Sequence, residues 1–308
     1  QAAQQRQSGP HHPAVRRVIV YDKRGADRGI GGLLRMARRL REARYDVAFL
    51  AQGSWRSAAL ALLTRVPTRI GFASSAGRWL YTKRVPYRDD LHHAARLLML
   101  SRPNGREPTP VELRPSLAPA DEERAAVDAL LAAHGVRAGE RLVALAPGSV
   151  WGTKRWPYYA ELAAALSAGG EARVIVIGSP ADSALAASIV TAAPATIDAT
   201  GRLSLLASAE LIGRCAVLVT NDSAPMHLGS AMGTPTVALF GPTVPAFGFG
   251  PLAPLASVVG LESLPCRPCD RHGPERCPLG HHRCMRELTP ALVADRTRTL
   301  LLNPDVLA

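Results

Sequence analysis

The eight residues "TNDSAPMH" (Thr220–His227) carry an amide, a carboxylate, a hydroxyl and an imidazole directly after the apolar run "CAVLV". Groups of these types can cap a helix or hold an oxyanion. Asp222 or Ser223 is expected to cap a helix entered at Pro225, a residue well tolerated in a first turn. Capping leaves His227 unexplained, because a histidine in a first turn lies beside free backbone amides and the positive end of the helix dipole, where it can donate to an anion. Upstream, "PGSVWGTKRWP" (Pro147–Pro157) combines two glycines, the hydroxyls of Ser149 and Thr153, and the adjacent cations Lys154 and Arg155. Hydroxyls, flexible amides and a lysine suit a phosphate. A solvated turn would use the same residues, and neither a Walker lysine pattern nor a G-x-G-x-x-G fingerprint is present. Asp182, in "SPAD", reads on its own as a helix cap. A carboxylate at Asp222 would repel a diphosphate at the same helix end unless it took amides or ribose hydroxyls while Lys154 took the phosphate.

A second constellation is "CRPCDRHGPERCPLGHHRC", in which Cys266, Cys269, Cys277 and Cys284 are spaced C-x2-C-x7-C-x6-C with three histidines among them. Four soft ligands could close a tetrahedral structural zinc site, and the first pair has knuckle spacing; the second pair does not, which leaves reduced, packed cysteines as the equal alternative. No histidine-carboxylate set accompanies them, so a catalytic metal is not expected. Cys215, at the start of an apolar run, is expected in the core.

These residues need elements to position them. The first part alternates "RVIVYD", an Arg-rich helical pattern from Gly31 to Ala43, "YDVAFLA", a helical stretch from Ser57 to Leu63, and "RIGFA". After a connector from Ser101 to Pro119 that holds five prolines, the alternation resumes. Helices are expected over Asp121–His134, Tyr158–Leu166, Ala181–Ala192, Leu203–Arg214 and Pro225–Met232, the last capped by Gly233. Strands are expected at "RLVALA", "RVIVIG", "TID", "CAVLVT" and "TVALFG". Strands alternating with helices of this length imply a parallel sheet, and continuous apolar strands imply that both its faces are covered. In such a sheet ligands bind beyond the carboxyl ends of the strands, which is where all three polar loops fall. The expected division is an N-terminal domain over 1–116, a second domain over 117–288, and a terminal helix over 289–308.

Composition narrows the class. With 47% hydrophobic and 20% charged residues over 308, the chain can bury a core and hold two domains. No apolar run approaches the ~20 residues of a membrane span, the opening lacks the pattern of a signal peptide, and five cysteines fit a reducing compartment; the cytoplasm is expected. The net charge of +12 is unevenly placed: residues 1–116 hold 22 Lys+Arg against 8 Asp+Glu, or +14, and the remainder 15 against 17, or −2. Such asymmetry suits a polyanionic partner, or a solvated Arg-rich surface. A basic zinc-containing nucleic-acid protein would share the charge and the cysteines, but aromatics are 5% and no RNA- or DNA-reading motif is present, so no nucleic-acid partner is expected.

With these residues assembled, the chain resembles glycosyltransferase family 9, the bacterial lipopolysaccharide heptosyltransferases, through "LREARYDVAF", "RVPTRIGFASSAGRWLYT", "PGSVWGTKRWP", "TNDSAPMHLGSAMGTPTVALFGPT" and "CPLGHHRCM" followed by "LTP". The resemblance implies a GT-B architecture, an α/β fold of two Rossmann-like domains with parallel sheets facing across a cleft, the last helix crossing back to the first. It implies transfer of heptose from ADP-L-glycero-D-manno-heptose to the heptosyl-Kdo-lipid A inner core without a catalytic metal, on the cytoplasmic side and peripherally at the inner membrane. Alternatives are a family 9 transferase for another sugar, or a nucleotide-sugar-binding module without turnover. By position, Lys154 would bind the donor diphosphate and Ser149 would hydrogen-bond it. Asp182 would accept the ribose hydroxyls. Asp222, Ser223 and the backbone of Ala224 would hold the phosphates and heptose, and His227 would assist the leaving group. Ala224 stands where the family usually has Gly. The family's first strand and its Gly-Asp loop, whose aspartate acts as general base, find no match before Arg16, and Asp22 lies in what reads as the second strand's loop. The chain is therefore expected to lack a leading strand and helix, some ~30 to 50 residues on the size of such a unit.

Overall fold

A computed structural model describes residues 15–102 and 105–302, which fall into two compact units, Arg16–Leu113 and the chain from Arg114 onward.

The first unit comprises α1 (Gly29–Glu42), β1 (Val47–Leu50), α2 (Trp55–Leu63), β2 (Thr68–Phe72), β3 (Lys83–Val85), α3 (His93–Met99) and α4 (Pro110–Leu113). Its three strands run parallel in the order β1-β2-β3, with Val47 opposite Thr68 and Ile70 opposite Lys83. One core lies under Ile70, Phe72 and Val85, closed by Met99 and Leu100; another joins Leu50 to Ala58, Ala61 and Tyr81. The Tyr81 ring lies so close to Gly71 that a Cβ there would overlap it.

The strand expected at "RVIVYD" is not formed. A strand exists through its ladder, and β1 pairs with β2 alone, leaving Val47 and Phe49 exposed. Residues 16–22 instead lead into a turn: the Asp22 carboxylate accepts the Gly25 amide at 2.9 Å, and Asp27 Oδ2 accepts the Asp22 amide at 3.0 Å. Lys23 Nζ donates to Gln52 Oε1 at 3.1 Å, tying that turn to the segment after β1. The connector is also less extended than its prolines imply. Pro110 opens the one-turn helix α4, and Glu112 accepts the Thr109 amide at 2.7 Å.

The second unit comprises α5 (Asp121–Ala133), β4 (Leu142–Ala146), α6 (Tyr159–Ala168), β5 (Arg173–Val176), α7 (Ser183–Ala192), β6 (Ile197–Asp198), α8 (Leu205–Gly213), β7 (Val217–Asn221), α9 (Ala224–Met232), β8 (Thr236–Leu239), β9 (Ala256–Val259), α10 (Arg283–Arg286) and α11 (Pro290–Leu302). All six strands are parallel, in the order β6-β5-β4-β7-β8-β9. Alternate residues face opposite cores. Val143, Leu145, Val217 and Val219 meet Trp156, Tyr159 and Leu162 on one face, with Val293 and Leu300 of α11; Leu142, Ala144 and Leu218 meet Val127, Leu211 and Ile212 on the other. Double coverage is why these strands read as unbroken apolar runs. Strands β3 and β9 pass unread in the sequence, being three and four residues long without an alternating pattern. No helix among the described residues is long and apolar enough to cross a membrane.

Candidate functional site

Strand order reverses between β4 and β7: the chain leaves β4 for β5 on one side and later returns to place β7 on the other. At such a switch point the loops after the two strands diverge and leave a crevice beyond their carboxyl ends. The loop after β4 carries Lys154, and the loop after β7 carries Asp222, Ser223 and the start of α9.

The two loops meet in a buried ion pair. Lys154 closes a 3-10 turn (Gly152–Lys154), and its Nζ lies 2.6 Å from Asp222 Oδ2, each side chain about a tenth exposed. The same carboxylate oxygen accepts the Thr243 hydroxyl at 2.7 Å, from the loop after β8. The Asp222 charge is thus balanced by a buried lysine and bonded by a hydroxyl, which lessens the repulsion it would exert on a nearby anion. Thr243 went unnoticed in the sequence, where a hydroxyl in "GPT" carries no signal apart from the fold.

Beside the pair, Asn221 is wholly buried and stitches the loops together. Its Nδ2 donates to Pro147 O at 2.9 Å, and its Oδ1 accepts the Trp156 amide and the Tyr159 hydroxyl, each at 3.2 Å. Burial pushes the Tyr159 hydroxyl well above its ordinary range, so it is a permanent donor. The Trp156 indole donates to Leu288 O at 2.7 Å and packs edge-on against the Tyr159 ring. Asn221 therefore holds the site's backbone.

Neither expected cap of α9 is made. Ser223 occupies the N-cap position in extended conformation without a side-chain bond to the helix, and its Oγ is buried without a hydrogen-bond partner. Asp222 is committed to Lys154 and Thr243. The first turn of α9 thus has no side-chain cap from these residues; Pro225 has no N–H and the Met226 amide donates to Ser223 O at 3.1 Å, while Ala224 is exposed at the start of the turn and His227 half-buried within it. At the far end Gly233 takes the left-handed conformation, φ 75°, as its capping role requires.

Asp182 makes no side-chain cap on α7 itself but closes a capping box with Ser179 on the turn that leads into it. Its Oδ2 turns back to accept the Ser179 amide at 2.8 Å and the Ser179 hydroxyl at 2.7 Å across the turn Pro180–Asp182. Its other oxygen lies against Gly148, so close that a Cβ there would overlap it. Asp182 thus adjoins the loop that carries Ser149 and Lys154. Ser149 is half-buried; its Oγ accepts the Trp151 amide at 3.3 Å and its carbonyl accepts Arg155 Nε at 2.9 Å.

The four cysteines Cys266, Cys269, Cys277 and Cys284 do not assemble the tetrahedral set expected of a structural zinc. Among the described residues no group of three or more His, Cys, Asp or Glu is gathered as a metal ion requires, and all four are free thiols. Cys284 is instead packed into the core beside Met285 and Leu288, where burial pushes its thiol up to about 11, while Cys269 is exposed. Cys215 is core as expected, its thiol pushed up to about 12 by burial.

A doubly covered parallel sheet with a lysine and an uncapped helix N-terminus at its switch point defines a Rossmann-like domain of the kind that binds nucleotide diphosphates. The glycosyltransferase family 9 (heptosyltransferase) profile matches residues 33–278, and the chain belongs to that family. It is 31% identical over 289 residues to lipopolysaccharide heptosyltransferase 2 of Salmonella typhimurium, covering 90% of this chain and 81% of that one. Among solved structures it superposes on a family 9 glycosyltransferase from Veillonella parvula with TM-score 0.83 and 26% identity, over 97% of this chain and 86% of that one. It superposes on the ADP-heptose lipopolysaccharide heptosyltransferase II of E. coli with TM-score 0.71 and 28% identity, over 90% and 82%. The two α/β units with parallel sheets are those of a GT-B glycosyltransferase.

Proposed function

We propose that this glycosyltransferase moves heptose from ADP-L-glycero-D-manno-heptose to the heptose of a heptosyl-Kdo-lipid A acceptor, with the donor held on the second unit. The observation that carries the reading is the convergence of Lys154, Asp222 and the first turn of α9 at the switch point.

In this reading the donor diphosphate lies over the N-terminus of α9, where the Ala224 amide and the Ser223 hydroxyl bond its oxygens. Lys154 is shared between Asp222 and the phosphates, Ser149 bonds the diphosphate from the loop after β4, and Asp182 takes the ribose hydroxyls. The acceptor oxygen attacks the anomeric carbon as the bond from that carbon to the diphosphate breaks; ADP leaves with the bonding pair. Negative charge then grows on the leaving oxygen, and Lys154, the Ala224 amide and His227 stabilise it in place of a catalytic metal. Preorganised donors aimed at developing charge are commonly the largest catalytic contribution. The proton of the acceptor hydroxyl passes to solvent water as the new bond forms.

The basic excess of residues 1–116 supports an acceptor that is anionic and presented at the cytoplasmic face of the inner membrane. So does Trp79, which is 69% exposed with the guanidiniums of Arg78 and Arg84 at 4.8 and 5.7 Å from its ring, a combination suited to a headgroup surface.

Calorimetric titration with ADP and with ADP-heptose tests the donor assignment. Saturable binding is expected, weakened at least tenfold by Lys154→Ala, in line with the loss of a charge-assisted phosphate contact of about 1.5–3 kcal/mol. Absence of binding, or binding indifferent to Lys154→Ala, would overturn it.

A further inference from the structure

The cysteine-rich segment that the sequence singled out touches the lysine loop and the loop after β8, whose Thr243 bonds Asp222. On the lysine side, the Thr153 hydroxyl donates to Pro274 O, and His282 Nε2 donates to Thr153 O at 2.8 Å. Gly273 lies over the lysine stem: a Cβ built there would sit 3.3 Å from Lys154 Cε. On the Asp222 side, the Cys269 amide donates to Pro242 O at 2.9 Å.

Arg267 is the strongest of these ties. Its half-buried guanidinium donates to Phe240 O at 3.0 Å, to Thr243 O at 2.9 Å and to Leu261 O. Phe240 and Thr243 bracket the loop that leaves β8, and Thr243 is the residue whose hydroxyl bonds Asp222. Gly260 makes room for the head group: a Cβ there would lie 2.8 Å from Phe240 O and 3.1 Å from Arg267 Nη2. A planar guanidinium presents its donors in a rigid fork and so holds three carbonyls in set directions, whereas the three donors of an ammonium rotate on a flexible stem.

We propose that Arg267 is a positioning residue for the donor site. By fixing the main chain at Thr243 it aims the Thr243 hydroxyl at Asp222, and Asp222 in turn holds Lys154 where the diphosphate binds. The rest of the segment braces Lys154 from the opposite side through Thr153 and Gly273, so one stretch of chain sets both partners of the ion pair. This rests on the donor reading above.

The experiment is a double-mutant cycle on ADP affinity, measured by calorimetry on the full chain, with the thermal midpoint recorded for each variant. Arg267→Ala is expected to weaken ADP binding at least tenfold in the wild-type background and less than twofold when Lys154 is already Ala, because its effect passes through the lysine. Arg267→Lys should recover part of the affinity. An Arg267→Ala effect within twofold of wild type, or an equal loss in both backgrounds, would overturn the proposal, since a general loosening of the fold is indifferent to Lys154. If Arg267→Ala does not fold, Arg267→Lys decides: a drop of threefold or more at an unchanged midpoint supports the assignment, and unchanged affinity overturns it. Failure of the donor reading looks different, since wild type then shows no ADP binding or none that Lys154→Ala affects.

Discussion

Asn221 and Asp222 are neighbours with separate tasks. The Asn221 amide serves three partners from one buried position, and removing it strands the Pro147 carbonyl and the Trp156 amide inside the protein. Each orphaned buried group costs about 1–3 kcal/mol, so Asn221→Ala should lower unfolding free energy by about 2–4 kcal/mol in a denaturant titration. Asp222→Asn keeps the shape and removes the charge, so Lys154 loses its counter-ion and the main effect should fall on ADP affinity. The thiols differ by environment in the same way. At Cys277 burial opposes ionisation, but the main-chain amides of His282, Leu279, Gly280 and His281 outweigh it and hold the thiol below its ordinary value. Although Cys269 is exposed, partial desolvation of its sulfur raises the thiol, and the Cys266 and Cys277 sulfurs add to that rise. The thiolate is the reactive form and its fraction grows as pH passes the pKa. Iodoacetamide labelling followed by mass spectrometry from pH 6.5 upward should therefore modify Cys277 at lower pH than Cys269, with Cys215 unmodified until the protein unfolds.

At the scale of elements, α9 owes its place to both of its ends. Its N-terminus is left open by Ser223 and Asp222, and its C-terminus is closed by Gly233 in the left-handed region, with the Thr234 amide returning to Gly229 O at 3.0 Å. A β-branched side chain disfavours that conformation, so Gly233→Val should destabilise the protein by about 1–3 kcal/mol, read as a lower thermal midpoint. The helix boundaries were legible from such punctuation: "GTP" ends α9, and the Pro-rich stretch ends the first unit. The ladders were less so. "RVIVYD" has the composition of a strand and forms none, since it joins no edge of the β1-β2-β3 sheet, and composition alone does not supply the ladder that makes a strand. Of the two carboxylate caps, Asp182 closes a capping box with Ser179 one turn early, whereas Asp222 is drawn away by a distant lysine, because a carboxylate before a helix has several donors within reach.

Over the whole molecule, charge is divided between the units as the chain divides: +14 over residues 1–116 and −2 over the rest. If the basic part meets an anionic surface, binding to vesicles containing anionic lipid should be strong at low salt and fall steeply as the Debye length shrinks from about 30 Å at 0.01 M to about 8 Å at 0.15 M. Sedimentation with such vesicles against a neutral-lipid control checks this, and salt-insensitive binding would contradict it. By itself the sequence determined the alternation of strands and helices, the parallel sheets, the family, and the loops on which Ser149, Lys154, Asp182, Asp222, Ser223, Ala224 and His227 lie. Those features depend on local pattern: apolar runs, turn residues, and polar groups at strand ends. Only the tertiary structure decided that Lys154 pairs with Asp222, that Thr243 completes the pair, that Asn221 is scaffold, and that Arg267 and the cysteine segment brace the site. These depend on partners tens of residues away, and which donor meets which carboxylate is set by the order of strands in the sheet, which no spacing along the chain records.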